Sequence, residues 1–194
     1  MKTVIVRPER CVGCLQCRLA CAVEHSQSKE LAAAVSEPVK PVSRVAVLPG
    51  RLNYAFPSKC RHCDPAPCEQ VCIAGAIFHD PVRGAVDIDP WRCINCGMCA
   101  MACPFGVLRY AATHQAPAKR AVALKCDQCP DREAAGRTPA CVEACKVGAL
   151  TYGVLEEAQA EKARNVAQTV FAGLTPGEIH PAPPDTIRLW RMLG

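Results

Sequence analysis

The sequence predicts an α+β fold assembled from small cysteine-rich modules, and three observations predict it. Sixteen of the 194 residues are cysteine, far above ordinary usage. They fall into four groups of four with none left over. Aromatic residues make up only 5%, too little bulk for a conventional core, so disulfides or metal centres must fill the interior instead. The length suits one domain or two small ones.

Compartment and charge narrow the choice. "MKTVIVRPERC" reaches its first cysteine at position 11 with no signal h-region or twin-arginine leader in view. No apolar run approaches the ~18 residues of a membrane span. The expected location is cytoplasmic, without direct membrane insertion; export led by a partner's signal is the alternative. Disulfides are rare in the cytosol, which favours metal. The formal charge is +5, but the basic residues are scattered and no basic run is interleaved with aromatics, so no nucleic-acid partner is expected.

The four groups follow in order. Group one is "CVGCLQCRLAC" (Cys11, Cys14, Cys17, Cys21). Group two is "CRHCDPAPCEQVC" (Cys60, Cys63, Cys68, Cys72). Group three is "CINCGMCAMACP" (Cys93, Cys96, Cys99, Cys103). Group four is "CDQCPDREAAGRTPACVEAC" (Cys126, Cys129, Cys141, Cys145). Groups one and three have the spacing C-x2-C-x2-C-x3-C, the bacterial ferredoxin run that holds a 4Fe–4S cluster. Three cysteines in a tight loop face one cluster, and the fourth, at the start of a helical turn, faces another. Groups two and four keep the outer CxxC and CxxxC and lengthen the middle loop. Taken alone, group four also reads as a zinc site, which usually uses two separated CxxC pairs; within this repeat the cluster reading is the stronger.

Pairing follows from proximity. Groups two and three are neighbours in sequence and form one two-cluster module; groups one and four form the other. Crossed ligation then gives four sets. Cluster 1 takes Cys11, Cys14, Cys17 and Cys145. Cluster 2 takes Cys60, Cys63, Cys68 and Cys103. Cluster 3 takes Cys72, Cys93, Cys96 and Cys99. Cluster 4 takes Cys21, Cys126, Cys129 and Cys141. An oxidised 4Fe–4S centre with four thiolates carries roughly −2, so four of them bring the chain to roughly −3. The basic surplus then reads as internal compensation.

Short apolar stretches follow three of the groups: "IAGAIF", "PFGVLRY" and "KVGALTYG". Each carries a glycine and a β-compatible pair, predicting a turn into a short strand. "GAVDID" is expected to pair with "GAIFHD" as a hairpin. The expected organisation is module A from 1–25 with 120–153, module B from 57–112, and a linker with a strand over 26–56. Within that linker, "SKELAAAV" predicts a helix, "SEPVKP" a link and "SRVAVL" a strand. Residues 154–194 form a C-terminal helical docking tail. "LEEAQAEKARNVAQTVFAGL" has a weak apolar stripe (Leu155, Ala158, Val166, Val170, Leu174), and "TIRLWRMLG" closes with Trp190 and Met192. The tail either folds back on its own domain or binds a neighbour, whether a partner subunit or a second copy.

These residues resemble the four-cluster polyferredoxin subunits of molybdenum and tungsten oxidoreductases, carbon monoxide dehydrogenases and hydrogenases. "CRHCDPAPCEQVC", "CINCGMCAMACPFG" and "KCDQCPDREAAGRTPACVEAC" carry the resemblance, which spans about residues 1 to 153. It implies two ferredoxin-like modules related by a pseudo-twofold and the same crossed ligation. "CVGCLQCRLACAVEHSQ" looks most like the subunits serving aldehyde oxidoreductases and carbon monoxide dehydrogenases. Three groups depart from the pattern, with Ala22, Ile73 and Lys146 where a proline follows the fourth cysteine; no ligand is lost.

No GxGxxG, P-loop or HExxH occurs, and no catalytic residue is expected. His25, His62, His79, His114 and His180 are read as surface or hydrogen-bonding residues. His62, inside a cluster loop, either tunes a potential or is solvated. Arg10, Arg18, Arg61, Arg92 and Lys125, beside ligands, either favour cluster reduction or are solvated charges. The expected function is a one-electron relay through four 4Fe–4S clusters, without catalysis of its own. Its partners would be a substrate-oxidising subunit, leaning to a tungsten- or molybdenum-pterin aldehyde oxidoreductase, and an electron-accepting subunit carrying FAD or NAD chemistry. A carbon monoxide dehydrogenase, formate dehydrogenase or hydrogenase complex is the alternative. A redox-sensing or structural iron–sulfur protein is the alternative of another class.

Overall fold

In the computed structural model, residues 2–50, 54–117 and 120–172 are described. The elements are short, as expected of a chain punctuated by Pro, Gly and Cys. In order they are β1 (Lys2–Val6), α1 (Gln16–Glu24), α2 (Leu31–Ser36), β2 (Ala46–Pro49), β3 (Ala55–Ser58), α3 (Pro67–Gln70), β4 (Ile77–Asp80) and β5 (Ala85–Ile88). There follow α4 (Met98–Ala102), β6 (Arg109–Ala112), β7 (Ala121–Leu124), α5 (Pro130–Ala134), α6 (Ala140–Glu143), β8 (Leu150–Val154) and α7 (Leu155–Ala172). The strands form two-stranded sheets: β1 with β8, β2 with β3, β4 with β5, and β6 with β7.

The order repeats. A strand leads to a cysteine group, then a hairpin leads to a second group, then a strand follows. Residues 2–80 run through this once and residues 85–154 run through it again. Each half ends with a strand that pairs with the opening strand of the other half: β4 with β5, and β8 with β1. The expected hairpin forms with Ile77 opposite Ile88 and Asp80 opposite Ala85. Asp80 closes its turn by accepting from the Val82 and Arg83 amides at 2.9 and 3.2 Å. Strands β1, β3 and β7 have no counterpart in the sequence reading. They are short runs whose pairing partners lie elsewhere in the chain, so periodicity alone does not reveal them.

Two cores are built from small residues and from the cysteines themselves. Val4, Cys17, Cys21, Val45, Cys141 and Leu150 make one. The other contains Ala76, Ile77, Val86, Cys93, Cys99 and Val122–Leu124. The first gathers cysteines of groups one and four, the second those of group three with Cys68 and Cys72 packed against it. The hairpins cross over. β2, expected in the linker, sends Val47 against the first core, and β7, placed by sequence with residues 120–153, buries Val122–Leu124 in the second.

After the last cysteine of groups two, three and four, the expected glycine turn is present. Gly75, Gly106 and Gly148 have φ of 57, 58 and 66°, and each amide donates to the cysteine carbonyl three residues earlier. Group one departs from this. Position 24 is Glu, and α1 continues through it to His25. The long middle loop of group four is also ordered. It contains α5, and the buried Arg132 ties it down through Glu24 at 3.0 Å, the Thr138 carbonyl at 2.8 Å, and Glu143.

Residues 2–152 and the described part of 153–194 form separate compact units. In the second, α7 covers most of the expected tail helix and buries none of its residues. The expected segment around Trp190 and Met192 lies outside the described residues. No helix among the described residues is long and apolar enough to cross a membrane.

Gly75 isolates the cost of backbone conformation, because a Cβ there would meet nothing within 4 Å. Gly75→Val should destabilise by about 1–2 kcal/mol and lower the temperature at which visible absorbance is lost. Gly75→Asn should restore most of the difference, since Asn tolerates the left-handed region.

Candidate metal centre

The four CxxC loops share one backbone device. The residue before the second cysteine is left-handed in every group: Gly13 (φ 69°), His62 (52°), Asn95 (58°) and Gln128 (65°). Only one of the four is glycine, so the loop geometry rather than residue type imposes the conformation, and neighbouring contacts must hold it. Such turns aim successive amides toward a shared concavity, which favours an anionic group.

The cysteines converge across groups. A small cavity is lined by Cys21, Cys126, Cys129 and Cys141, with Val4, Val45, Pro139 and Leu150 around them. A second is lined by Cys72, Cys93, Cys96 and Cys99. In each, three cysteines belong to one group and the fourth to another. The Cys17 thiol lies in the field of Cys145, Cys11 and Cys14. Cys63 and Cys68 each feel Cys60 and Cys103. All sixteen are free of disulfides. Cys14 and Cys96 are exposed.

The donor chemistry fits a metal cluster. Burial pushes Cys17 and Cys126 up to about 11 and Cys129 up to about 12, and Cys141 higher than its ordinary range. Thiols raised in this way, such as Cys126, Cys129 and Cys141 in one cavity, cannot ionise together unless a cation compensates them. Backbone amides already point at sulfur: Arg44 at Cys21 (3.2 Å), Ala76 at Cys72 (3.3 Å), and Ala123 at Cys93 and Leu150 at Cys145 (3.4 Å each). Tyr110 Oη lies 3.0 Å from Cys99 Sγ. Contacts of this kind set the potential of a thiolate-ligated cluster.

Around Cys21 the missing glycine turn has a use. The extra helical turn brings His25 Nε2 to 3.1 Å from Asp127, inside the group four CxxC, while its Nδ1 donates to the Cys21 carbonyl at 2.7 Å. Arg44 also binds Asp127. Burial opposes charge on His25, but the bonds to Asp127 and Cys21 outweigh it and raise the imidazole to about 9. Burial likewise works against the Asp127 carboxylate, yet His25 and Arg44 hold it well below the usual range. This bridge joins groups one and four, and a sequence-spacing argument has no signal for it.

For two residues the structure excludes the solvated alternative. His62 is not solvated: it is 4% exposed, and its Nδ1 accepts from the Val86 amide at 3.0 Å. Burial, then the Lys125 and Lys59 charges, drive it down to about 2, so it is neutral. Lys125 is not a solvated charge either. It is 3% exposed and donates to the carbonyls of Val86 and, at 3.3 Å, Cys126. Lys59, also 3% exposed, occupies the matching place before group two and was missed. The dipeptide Lys-Cys opening both long-loop groups was the available signal. Arg10, Arg18 and Arg92 are exposed, while Arg61 stacks over Phe56 and Phe105 at 5.8 and 5.6 Å. His114 is exposed and His79 partly so; His180 lies outside the described residues.

The His25–Asp127 bridge has a pH signature. The folded imidazole is raised from 6.5 to about 9, so its contribution is complete below about 6.5 and is lost as pH rises through about 9. The thermal advantage of the parent over His25→Gln should therefore be largest in mild acid. It should vanish in alkali, followed by loss of visible absorbance on heating across that range.

The chain is similar in sequence to a known family and to several named proteins. The family described as "4Fe-4S dicluster domain" matches residues 52–155. The electron transport protein HydN of Escherichia coli K12 is 36% identical, over 84% of this chain and 96% of its own. An iron–sulfur protein of Rhodospirillum rubrum is 37% identical, over 76% and 79%. Protein NrfC of Escherichia coli K12 is 36% identical, over 78% and 64%. With its cysteine loops, its converging thiols and these matches together, the chain belongs to the 4Fe-4S dicluster domain family.

Proposed function

We propose that this chain is the electron-transfer subunit of an oxidoreductase complex and relays single electrons through four 4Fe–4S clusters. As a member of a family whose relatives are named for electron transport, it is an iron–sulfur electron carrier and not an enzyme by itself. Cluster 1 is held by Cys11, Cys14, Cys17 and Cys145, and cluster 2 by Cys60, Cys63, Cys68 and Cys103. Cluster 3 is held by Cys72, Cys93, Cys96 and Cys99, and cluster 4 by Cys21, Cys126, Cys129 and Cys141. The observation that carries this reading is the pair of apolar cavities, each lined by three cysteines of one group and one of another. The twice-run element order supports two modules related by a pseudo-twofold.

The relay runs 1–4–2–3. Cys141 lies in the field of Cys17, which supports neighbouring places for clusters 4 and 1. Cys126 and Cys60 share the field of Lys59, which supports the same for 4 and 2. The exposure of Cys14 and Cys96 supports clusters 1 and 3 as the ends. Each cluster accepts one electron with little change of geometry, and the protein supplies insulation and potential. One end would meet a substrate-oxidising subunit, for which a tungsten- or molybdenum-pterin aldehyde oxidoreductase is our choice. The other would meet a flavin or NAD-reducing subunit, in the cytoplasm. The tail of residues 154–194, whose α7 exposes Val166, Val170 and Phe171, is the docking element.

Anaerobically purified protein should contain about sixteen irons per chain, and its clusters should be reduced when the partner enzyme turns over. About four irons or stoichiometric zinc would sink the assignment. Full iron without reduction during turnover would favour the structural or sensing alternative. Deleting residues 176–194 should release the chain from its complex on a sizing column while leaving iron content unchanged.

A further inference from the structure

Two buried lysines stand at matching places in the two halves of the chain. Lys59 follows β3 and opens group two; Lys125 follows β7 and opens group four. Each reaches beyond its own group. Lys59 lines the cavity of Cys21, Cys126, Cys129 and Cys141, and its Nζ donates to Thr3 Oγ1 at 3.3 Å. Lys125 donates to the Val86 carbonyl and lies in the field of Cys68. Between them sits neutral His62, in the field of both ammonium groups.

A buried ammonium is costly unless an anion lies close. Among the described residues neither lysine has a carboxylate partner. Asp87, in the field of Lys125, is already paired with Arg83, while the anionic field at Lys59 comes from Cys126, Cys60 and Cys141. The anions left to satisfy the lysines are the thiolates of the two inner clusters, which a reducing electron makes more negative still. Cys17 of cluster 1 and Cys99 of cluster 3 have no lysine among the main influences on their thiols, and each of those sets has an exposed cysteine where water can compensate charge.

We infer that Lys59 and Lys125 form a shared cationic bridge between clusters 2 and 4, stabilising the reduced state of both and linking the two modules at the central step of the relay. This rests on the four-cluster reading, which the iron count tests separately. Each lysine acts on two clusters, so one neutral substitution moves two potentials. The probe is a redox titration of the full holoprotein followed by EPR, with cluster 2 and 4 signals assigned beforehand using Cys68→Ser and Cys141→Ser. In Lys59→Met and Lys59→Gln, the reduced-to-oxidised ratio of clusters 2 and 4 should fall about tenfold at a fixed applied potential, equivalent to about 59 mV for one electron. Clusters 1 and 3 should not move, and Lys59→Arg should retain the parental values. Lys125→Met should reproduce the pattern. The inference is overturned by unchanged potentials at full iron content, by an equal shift of all four clusters, or by iron loss from both neutral Lys59 variants.

Discussion

Thiols buried in apolar cavities can neither ionise alone nor fill the space they surround. Burial pushes Cys126, Cys129 and Cys141 well above the ordinary thiol range, and Cys129 and Cys141 are core residues. In most proteins of this size large side chains would occupy the centre. Here 5% aromatics leave that role to alanine, valine and cysteine, so the interior is complete only with what the cysteines ligate. Folding and metal binding are then one process, because binding energy at such a site is folding energy.

That constraint accounts for the spread of partners across the chain. The cysteines lining one cavity come from segments more than a hundred residues apart, so neither group one nor group four closes a site by itself. The elements around them reinforce the same joins. β1 pairs with β8, Arg132 ties group four's loop to α1 and α6, and His25 reaches Asp127 from one group to the other. The neighbouring polar residues are arranged by charge. Cations of both kinds approach the thiols, while the buried carboxylates are held by arginine. Side chains that ligate nothing thus stand where neighbours of a thiolate-ligated cluster tune its potential.

Much of the chemistry was legible before any coordinates. The spacing C-x2-C-x2-C-x3-C names the donor type and geometry, because few other arrangements of cysteines share it. The hairpin of β4 and β5 and the glycine turns were legible too, since turn chemistry is local. The roles of His62 and Lys125 were not. A histidine in a polar loop and a lysine before a cysteine look the same whether solvated or buried; only the packing of Val86 against them decides.

By itself, the sequence determined the sixteen cysteines, their grouping, the absence of bulk for any other core, and the repeated turn after three of the four groups. Each of these is carried by residues close together in the chain. The tertiary structure decided which hairpin packs in which core, that group one ends in a helix bearing His25 instead of a turn, and that two lysines lie buried among the thiols. Those outcomes depend on burial and on long-range neighbours, and the energy of a charge is fixed by what surrounds it in space.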